Sequence, residues 1–216
     1  MTLRRSALLA GLLLTASPAF AQAGPAPARP DYVPNGIWRE TNTAQFYEQW
    51  FGDQLHAMRE PVLSQPNGLG RFRRRFRMLV LSHRQPSYAI RVDASSVGGL
   101  MHIVSLDGNG DHQPGRIARQ RRLNLSGDDV RALDNIIAGS GLAGMPAEAP
   151  PYDEPVPDPA TGETTIRLCH HATYFVFELV TERASRFVVR DACEIAGGLR
   201  TLIGELWKVR SDAGFP

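Results

Sequence analysis

The sequence predicts an α+β fold, in which an antiparallel β-sheet of about six to seven strands packs against two to three helices. Apolar and polar residues alternate with a period of two in most of the predicted strands, which is typical of strands with one buried face. The turns between these strands are too short for the crossover helices of a parallel sheet. We expect the strands to form one sheet or two sub-sheets, with the helices on one face.

Residues 1–21 have the three parts of an export signal peptide. A pair of arginines is followed by about eight apolar residues, and Ala19-Phe20-Ala21 fits a small-x-small cleavage site. The apolar stretch is less than half of the roughly 20 residues that a membrane-spanning helix needs. We therefore expect cleavage near Ala21-Gln22, a periplasmic or secreted protein, and no transmembrane segment in the mature chain.

The mature chain divides into a short lead-in and one domain. Residues 22–38 are rich in Pro, Ala and Gly, and this composition is typical of a flexible segment. Residues 39–216 have the length of a single α+β domain. Within it, residues 145–163 hold six prolines and five acidic residues, which predicts an acidic loop and not a regular element of a sheet interior.

The first half of the domain is expected to contain one helix and four strands. Apolar residues at helical spacing begin after Glu40, with Thr43 as the N-cap. The apolar positions of this helix are Tyr47, Trp50, Phe51, Leu55 and Met58. The strands that follow are predicted around Phe72–Val80, Tyr88–Asp93, Leu100–Leu106 and Arg116–Leu123.

The second half is expected to contain two helices and three strands. Ser126 with Asp129 predicts a capping box at the start of the first helix. The strands are predicted at Thr164–Cys169, Thr173–Val180 and Arg186–Asp191, in that order along a three-strand meander. In the last helix, Gly197 and Gly198 are expected to allow close approach to the sheet.

The sharpest charged feature is the run from Arg71 to Arg77, in which Phe72 and Phe76 are expected to face the core. The opposite face would carry Arg71, Arg73, Arg75 and Arg77, a candidate site for anionic lipid or polysaccharide. Nucleic acid is a weaker candidate, because the aromatic residues do not share the arginine face. Two structural interpretations are favoured over such a site: a solvated edge strand, or neutralisation by the acidic loop at 148–163.

Charge is also divided between two neighbouring stretches of the chain. Residues 61–125 hold eleven arginines against three acidic residues, a net charge of +8. Residues 126–163 hold one arginine against eight acidic residues, a net charge of −7.

The two cysteines, Cys169 and Cys193, both lie in the exported part, where disulfides form, and they predict one structural disulfide. An alternative makes Cys169-His170-His171 a metal site together with His102 or His112. Neighbouring residues of a strand point to opposite faces, which disfavours that alternative. No metal and no cofactor is predicted.

Two further motifs are weak. Residues 107–111, Asp-Gly-Asn-Gly-Asp, begin like a calcium-binding loop, but the glycine and the glutamate that such a loop needs later are missing. A glycine-rich turn is the favoured interpretation. Ser82 and His83 are adjacent, so their side chains would face apart on a strand.

The sequence contains no motif of a known catalytic site. It favours a non-catalytic binding or inhibitor-like module of the cell envelope, with a protein as its partner. The alternative is a small periplasmic hydrolase or metal-binding enzyme with its site near His102, Asp107 and His112.

Overall fold

The computed structural model describes residues 29–34, 36–38, 41–64, 69–149, 156–157, 159–162, 164–165 and 173–215. The helices are α1 (Thr41–Ala57), α2 (Gly127–Gly139) and α3 (Gly197–Asp212). The strands are β1 (Arg74–Leu81), β2 (Tyr88–Ala94), β3 (Gly98–Leu106), β4 (Ile117–Ser126), β5 (Val156–Pro157), β6 (Thr164–Thr165), β7 (Tyr174–Thr181) and β8 (Ser185–Asp191). This arrangement confirms the predicted α+β class.

Six strands form one antiparallel sheet in the order β4-β3-β2-β1-β7-β8. β1 therefore lies between β2 and β7, near the middle of the sheet, and the expectation of an edge strand there was wrong. β5 and β6 pair with each other in a separate two-stranded ribbon. The predicted three-strand meander was also wrong, because β6 pairs with β5 and β7 pairs with β1 and β8.

Each face of the sheet has its own hydrophobic core. One face carries Phe76, Met78 and Ile90, which pack under α2 and α3. The opposite face carries Leu79 and Leu81, which pack under α1. The expectation of helices on a single face was therefore wrong. A β-strand buried on both faces needs apolar residues at successive positions, and β1 has them only in its second half, from Met78 to Leu81.

The described part of the lead-in is packed, although its composition predicted flexibility. Tyr32 and Val33 are buried in the core under α1. The Tyr32 hydroxyl donates a hydrogen bond to the backbone oxygen of Glu60 at 3.0 Å. This contact joins the lead-in to the segment that follows α1.

The predicted start of α2 is confirmed, whereas the predicted N-cap of α1 is wrong. Ser126 and Asp129 form the predicted capping box of α2. α1 begins at Thr41, so Thr43 lies inside the helix and is not its N-cap. A Cβ atom on Gly198 would stand 2.1 Å from the backbone oxygen of Gly139. The close approach that this glycine allows is therefore to the end of α2, and not to the sheet.

Among the described residues, no helix has both the length and the apolar character needed to cross a membrane.

Candidate functional site

Arginine is concentrated in two strands, and the structure places them differently. Arg77 of β1 lies opposite Glu178 of β7 and Arg91 of β2, and Arg91 lies opposite His102 of β3. A row of charged residues thus crosses the middle of the sheet. The row lies on the α1 face, beside the apolar core that Leu79 helps to form.

Arg77 is completely buried, with 0% of its side chain exposed. Its Nε atom donates to Glu178 Oε1 at 2.8 Å, and its Nη2 atom donates to the same oxygen. Its Nη1 atom donates to the backbone oxygen of Pro61 at 2.8 Å and to Glu60 Oε2 at 3.4 Å. These contacts satisfy the guanidinium from within the chain, as a buried charge requires.

Further ion pairs around Asp93 extend this arrangement toward β3. Arg75 Nε lies 3.0 Å from Asp93 Oδ1, and Arg91 Nε lies 3.4 Å from Asp93 Oδ2. Arg91 Nη1 also lies 3.4 Å from Glu60 Oε2. His102 Nε2 stands 3.6 Å from Asp93 Oδ2. We call this group the buried charge cluster; its members are Arg75, Arg77, Arg91, Glu60, Asp93, Glu178 and His102.

Three arginines face three carboxylates in the buried charge cluster, so it is electrically balanced when the histidine is neutral. Burial lowers the pKa of His102, and the neighbouring charge of Arg91 lowers it further, against the opposing effect of Asp93. Burial alone would lower the pKa of Arg77, but Glu178 and Glu60 more than offset it, and the pKa is raised. Arg77 therefore stays charged and His102 favours its neutral form.

These contacts correct the predicted anion site at Arg71, Arg73, Arg75 and Arg77. The last two are held by internal carboxylates, and only Arg71 and Arg73, which precede β1, are exposed. The expectation of a solvated arginine face was wrong for the same reason. Internal neutralisation does occur, but within the described residues the carboxylates come from 60, 93 and 178, and not from the acidic loop.

β4 carries the second concentration of arginine, and it is a terminal strand of the sheet. Four arginines in and just before it are exposed: Arg116, Arg119, Arg121 and Arg122. We call these four residues the β4 arginine stripe. No carboxylate in the described part of the chain forms an ion pair with any of them.

The stripe has two sides, because alternate residues of a strand face opposite ways. Arg119 Nη1 donates to the backbone oxygen of Gly214 at 2.8 Å, and Arg121 Nη1 donates to that of Ala213 at 2.6 Å. These carbonyls lie at the end of α3, where the helix dipole attracts cations. Arg122 lies opposite His102 in the register, on the other face. Both faces of this edge are therefore positively charged.

The residues of the alternative hydrolase site do not come together. His102 lies in β3 and contacts Asp93. Asp107 follows the end of β3, about 16 Å further along at the rise of an extended strand. His112 packs against the rings of Phe46 and Trp50. The structure thus contradicts a joint site for His102, Asp107 and His112.

His83 has an acidic neighbour that the sequence could not identify. Its Nδ1 atom lies 2.9 Å from Asp111 Oδ1. The adjacent Ser82 hydroxyl is 3.0 Å from the Thr173 hydroxyl. Among the contacts of the described residues, the histidine and the serine have different partners, which is not the arrangement of a serine nucleophile with its base.

The loop at 107–116 is a structural turn, as the favoured interpretation expected. Asp107 Oδ1 accepts the backbone N–H of Arg116 at 2.7 Å, so this oxygen holds the two ends of the loop together. Trp50 Nε1 donates to the backbone oxygen of Gly110 at 2.8 Å, which fixes the loop to α1. No cluster of three or more His, Cys, Asp or Glu residues suited to a metal occurs among the residues that are described.

Cys193 lies in the single turn of 3-10 helix that follows β8, and its N–H donates to Asp191 Oδ1 at 2.8 Å. Cys169, His170 and His171 lie outside the described residues. The disulfide between Cys169 and Cys193 therefore stays a prediction.

Comparison of the chain with protein-family models, with curated proteins and with solved structures gives no match.

The predictions from sequence did not include the β4 arginine stripe, although its signal is present. The segment from Arg116 to Arg122 holds four arginines within the larger basic stretch of residues 61–125. The run at 71–77 is denser in arginine. Whether an arginine-rich strand is buried or exposed depends on its place in the order of strands across the sheet. Local sequence does not reveal that order.

Proposed function

We propose that the chain is an exported, non-catalytic binding module of the cell envelope, and that it binds an anionic partner through the β4 arginine stripe. The observation that supports the proposal most strongly is the exposure of four arginines in and just before one terminal strand, none of whose side chains forms an ion pair with a carboxylate of the described residues. An exposed cluster of one sign attracts a partner of the opposite sign and speeds encounter.

The contrast with the buried charge cluster supports the same proposal. In the buried charge cluster, each guanidinium forms an ion pair with a carboxylate inside the protein. At β4, Arg119 and Arg121 each donate to one backbone oxygen at the end of α3, but all four arginines are exposed and none pairs with a carboxylate of the described residues. Unpaired surface charge adds little to stability, so it is available for a partner.

Binding to immobilised polyglutamate tests the proposal. The purified chain is expected to bind at low salt and to dissociate steeply as salt is added, because the attraction is between exposed charges. A variant with Arg116→Gln, Arg119→Gln, Arg121→Gln and Arg122→Gln should lose most of this binding. Failure of the unaltered chain to bind at low salt would overturn the proposal.

A matched control removes the same number of charges elsewhere. Arg71→Gln, Arg73→Gln, Arg84→Gln and Arg183→Gln lower the net charge by the same amount at four other exposed positions. This control should retain most of the binding. Equal losses in the two variants would mean that overall charge is responsible, and the assignment of the surface to β4 would fail.

Export and the Cys169–Cys193 disulfide belong to the same proposal and rest on the sequence. Mass spectrometry of the protein from the producing cell should find an N-terminus at Gln22 and a mass two hydrogen atoms below that of the dithiol. An N-terminus at Met1 would contradict export. Two alkylated cysteines without prior reduction would contradict the disulfide.

A further inference from the structure

We infer that the occupant of the β4 edge is an extended acidic segment of a partner protein, which adds to the sheet as a further strand beside β4. The inference rests on the proposed function, since it uses the same arginines, and it names the class of partner. It depends on the backbone of β4 as well as on its charges.

The two terminal strands of the sheet, β8 and β4, differ in whether another segment covers their outer edge. On β8 the backbone N–H of Val189 donates to the oxygen of Ala147 at 2.8 Å, so the segment after α2 covers that edge. Arg190 adds a bond from its Nη2 atom to the oxygen of Pro146 at 2.9 Å. On β4, no other described segment forms a backbone hydrogen bond with residues 118–125. Within the described part of the chain, the outer edge of β4 therefore keeps donors and acceptors for another strand.

The open part of β4 is long enough and regular enough to accept a strand. Its register with β3 shifts between Ser105 and Leu106, next to the start of β4. From Arg119 to Ser126 the pairing is continuous, which gives eight residues in register with β3. An ordinary strand in a globular protein has about five or six residues.

A second copy of this chain is a poor occupant. Pairing two β4 strands would bring arginines of one copy close to arginines of the other, and like charges on facing strands are destabilising. Charge complementarity instead selects a segment that carries carboxylates. Arg119 and Arg121 are already held by the end of α3, so less side-chain freedom is lost when a carboxylate binds them.

The face of β4 that packs toward α3 also predicts the order of residues in the partner. Along this face the strand presents Arg119 and Arg121 and then Leu123 and Leu125, which are partly buried against the core. A complementary strand that runs parallel to β4 would carry two acidic residues and then two apolar residues at alternate positions, and an antiparallel strand would carry them in the reverse order. Alternate residues are separated by the same distance in β4 and in a neighbouring strand, so the side chains of the two strands can lie opposite each other.

The test uses two eight-residue peptides in which threonine alternates with two glutamates and two valines, one with the glutamates first and one with the valines first. We expect saturable binding by fluorescence anisotropy and slower amide hydrogen exchange within residues 119–125. A peptide with prolines in place of the threonines keeps the acidic and apolar residues but removes backbone donors. It should bind at least about tenfold more weakly, a difference of about 1.4 kcal/mol.

A variant with reversed charge distinguishes a loss of peptide binding caused by misfolding from one caused by the lost charge. The variant R119E/R121E should no longer bind the glutamate peptide, and it should bind a peptide with lysines in place of the glutamates. Binding of the lysine peptide would demonstrate that the altered edge is intact. If the variant binds neither peptide while its hydrogen exchange elsewhere matches the unaltered chain, the inference is overturned.

The outcomes separate this inference from the proposed function. If polyglutamate binds through the stripe and the proline peptide binds as well as the threonine peptide, strand addition is wrong and the anionic surface stands. If vesicles of anionic phospholipid or an acidic polysaccharide bind and the threonine peptide does not, the partner class is wrong. If no anionic probe binds at low salt, both fail.

Discussion

β1 and β4 place the same residue type in opposite environments. The arginines of β1 lie between two neighbouring strands, and Arg77 is completely enclosed by Glu178, Glu60 and the backbone of residue 61. The arginines of β4 lie on a terminal strand and face solvent. Position in the sheet decides whether these arginines are enclosed in ion pairs or are exposed to solvent. Four predictions test this difference, in order of decreasing effect.

The largest expected effect is on stability when Arg77 is removed. Arg77→Met keeps much of the side-chain volume but leaves Glu178 and Glu60 buried without their main cation. Breaking a buried ion pair in this way costs about 3–5 kcal/mol. Urea denaturation should find the free energy of unfolding lowered by that amount.

Arg122→Met is the matched substitution on β4, since it replaces an exposed arginine with the same side chain. It should change the free energy of unfolding by less than about 0.5 kcal/mol. Similar losses in the two variants would remove the distinction between the strands.

The next effect is the coupling between Arg77 and Glu178. Glu178→Leu leaves Arg77 with fewer partners, whereas the double variant with Arg77→Met removes both charges of the pair. The double variant should be more stable than the sum of the single losses predicts, with a coupling energy of about 0.5–3 kcal/mol. Additive losses in a complete double-mutant cycle would contradict a direct interaction.

A smaller effect is expected from His102. Its pKa in the folded protein lies below the ordinary value of 6.5, chiefly because of burial and then because of Arg91. Between these two values the unfolded chain binds more protons, so stability rises with pH and the contribution is complete above about 6.5. It is lost as the pH falls through this window.

His102→Gln removes the titrating group while the other charges that surround it remain, among them Asp93, Arg91, Glu60 and Arg122. The difference in unfolding free energy between the two proteins should therefore change over the pH range below about 6.5 and level off above that value. A constant difference across this range would contradict a pKa of His102 that partial burial lowers.

The smallest effect on stability is expected for the exposed arginines of the β4 arginine stripe. Arg116→Gln with Arg122→Gln removes two stripe residues whose side chains form no described ion pair. The midpoint of urea unfolding should barely move, while the salt concentration that releases polyglutamate should fall. A large loss of stability would assign these arginines a structural role.

The parts of the fold that local sequence controls could be predicted. Ser126 and Asp129 lie three residues apart and cap α2 through their own backbone contacts, so the helix start was visible. The strand β2 was located because larger apolar residues alternate with other residues along it. The order of strands was not accessible, because Arg77 and Glu178 meet across 101 residues of chain.

The same limit explains what was missed at the candidate site. The run at 71–77 is locally indistinguishable from an exposed basic strand until Glu60, Asp93 and Glu178 are brought to it. The face on which α1 packs also depends on distant strands, so its apolar stripe predicted burial without choosing a side. The β4 arginine stripe was weaker in sequence and became evident only from its place at the edge of the sheet.

Arginine-specific chemical modification, followed residue by residue with mass spectrometry, tests the central claim most directly. A dicarbonyl reagent reacts with accessible guanidiniums, so one time course on the folded chain compares both strands. Arg116 and Arg122 should be modified readily, and Arg77 should react only after unfolding in urea. Modification of Arg77 at the rate of Arg122 in the folded protein would contradict the account.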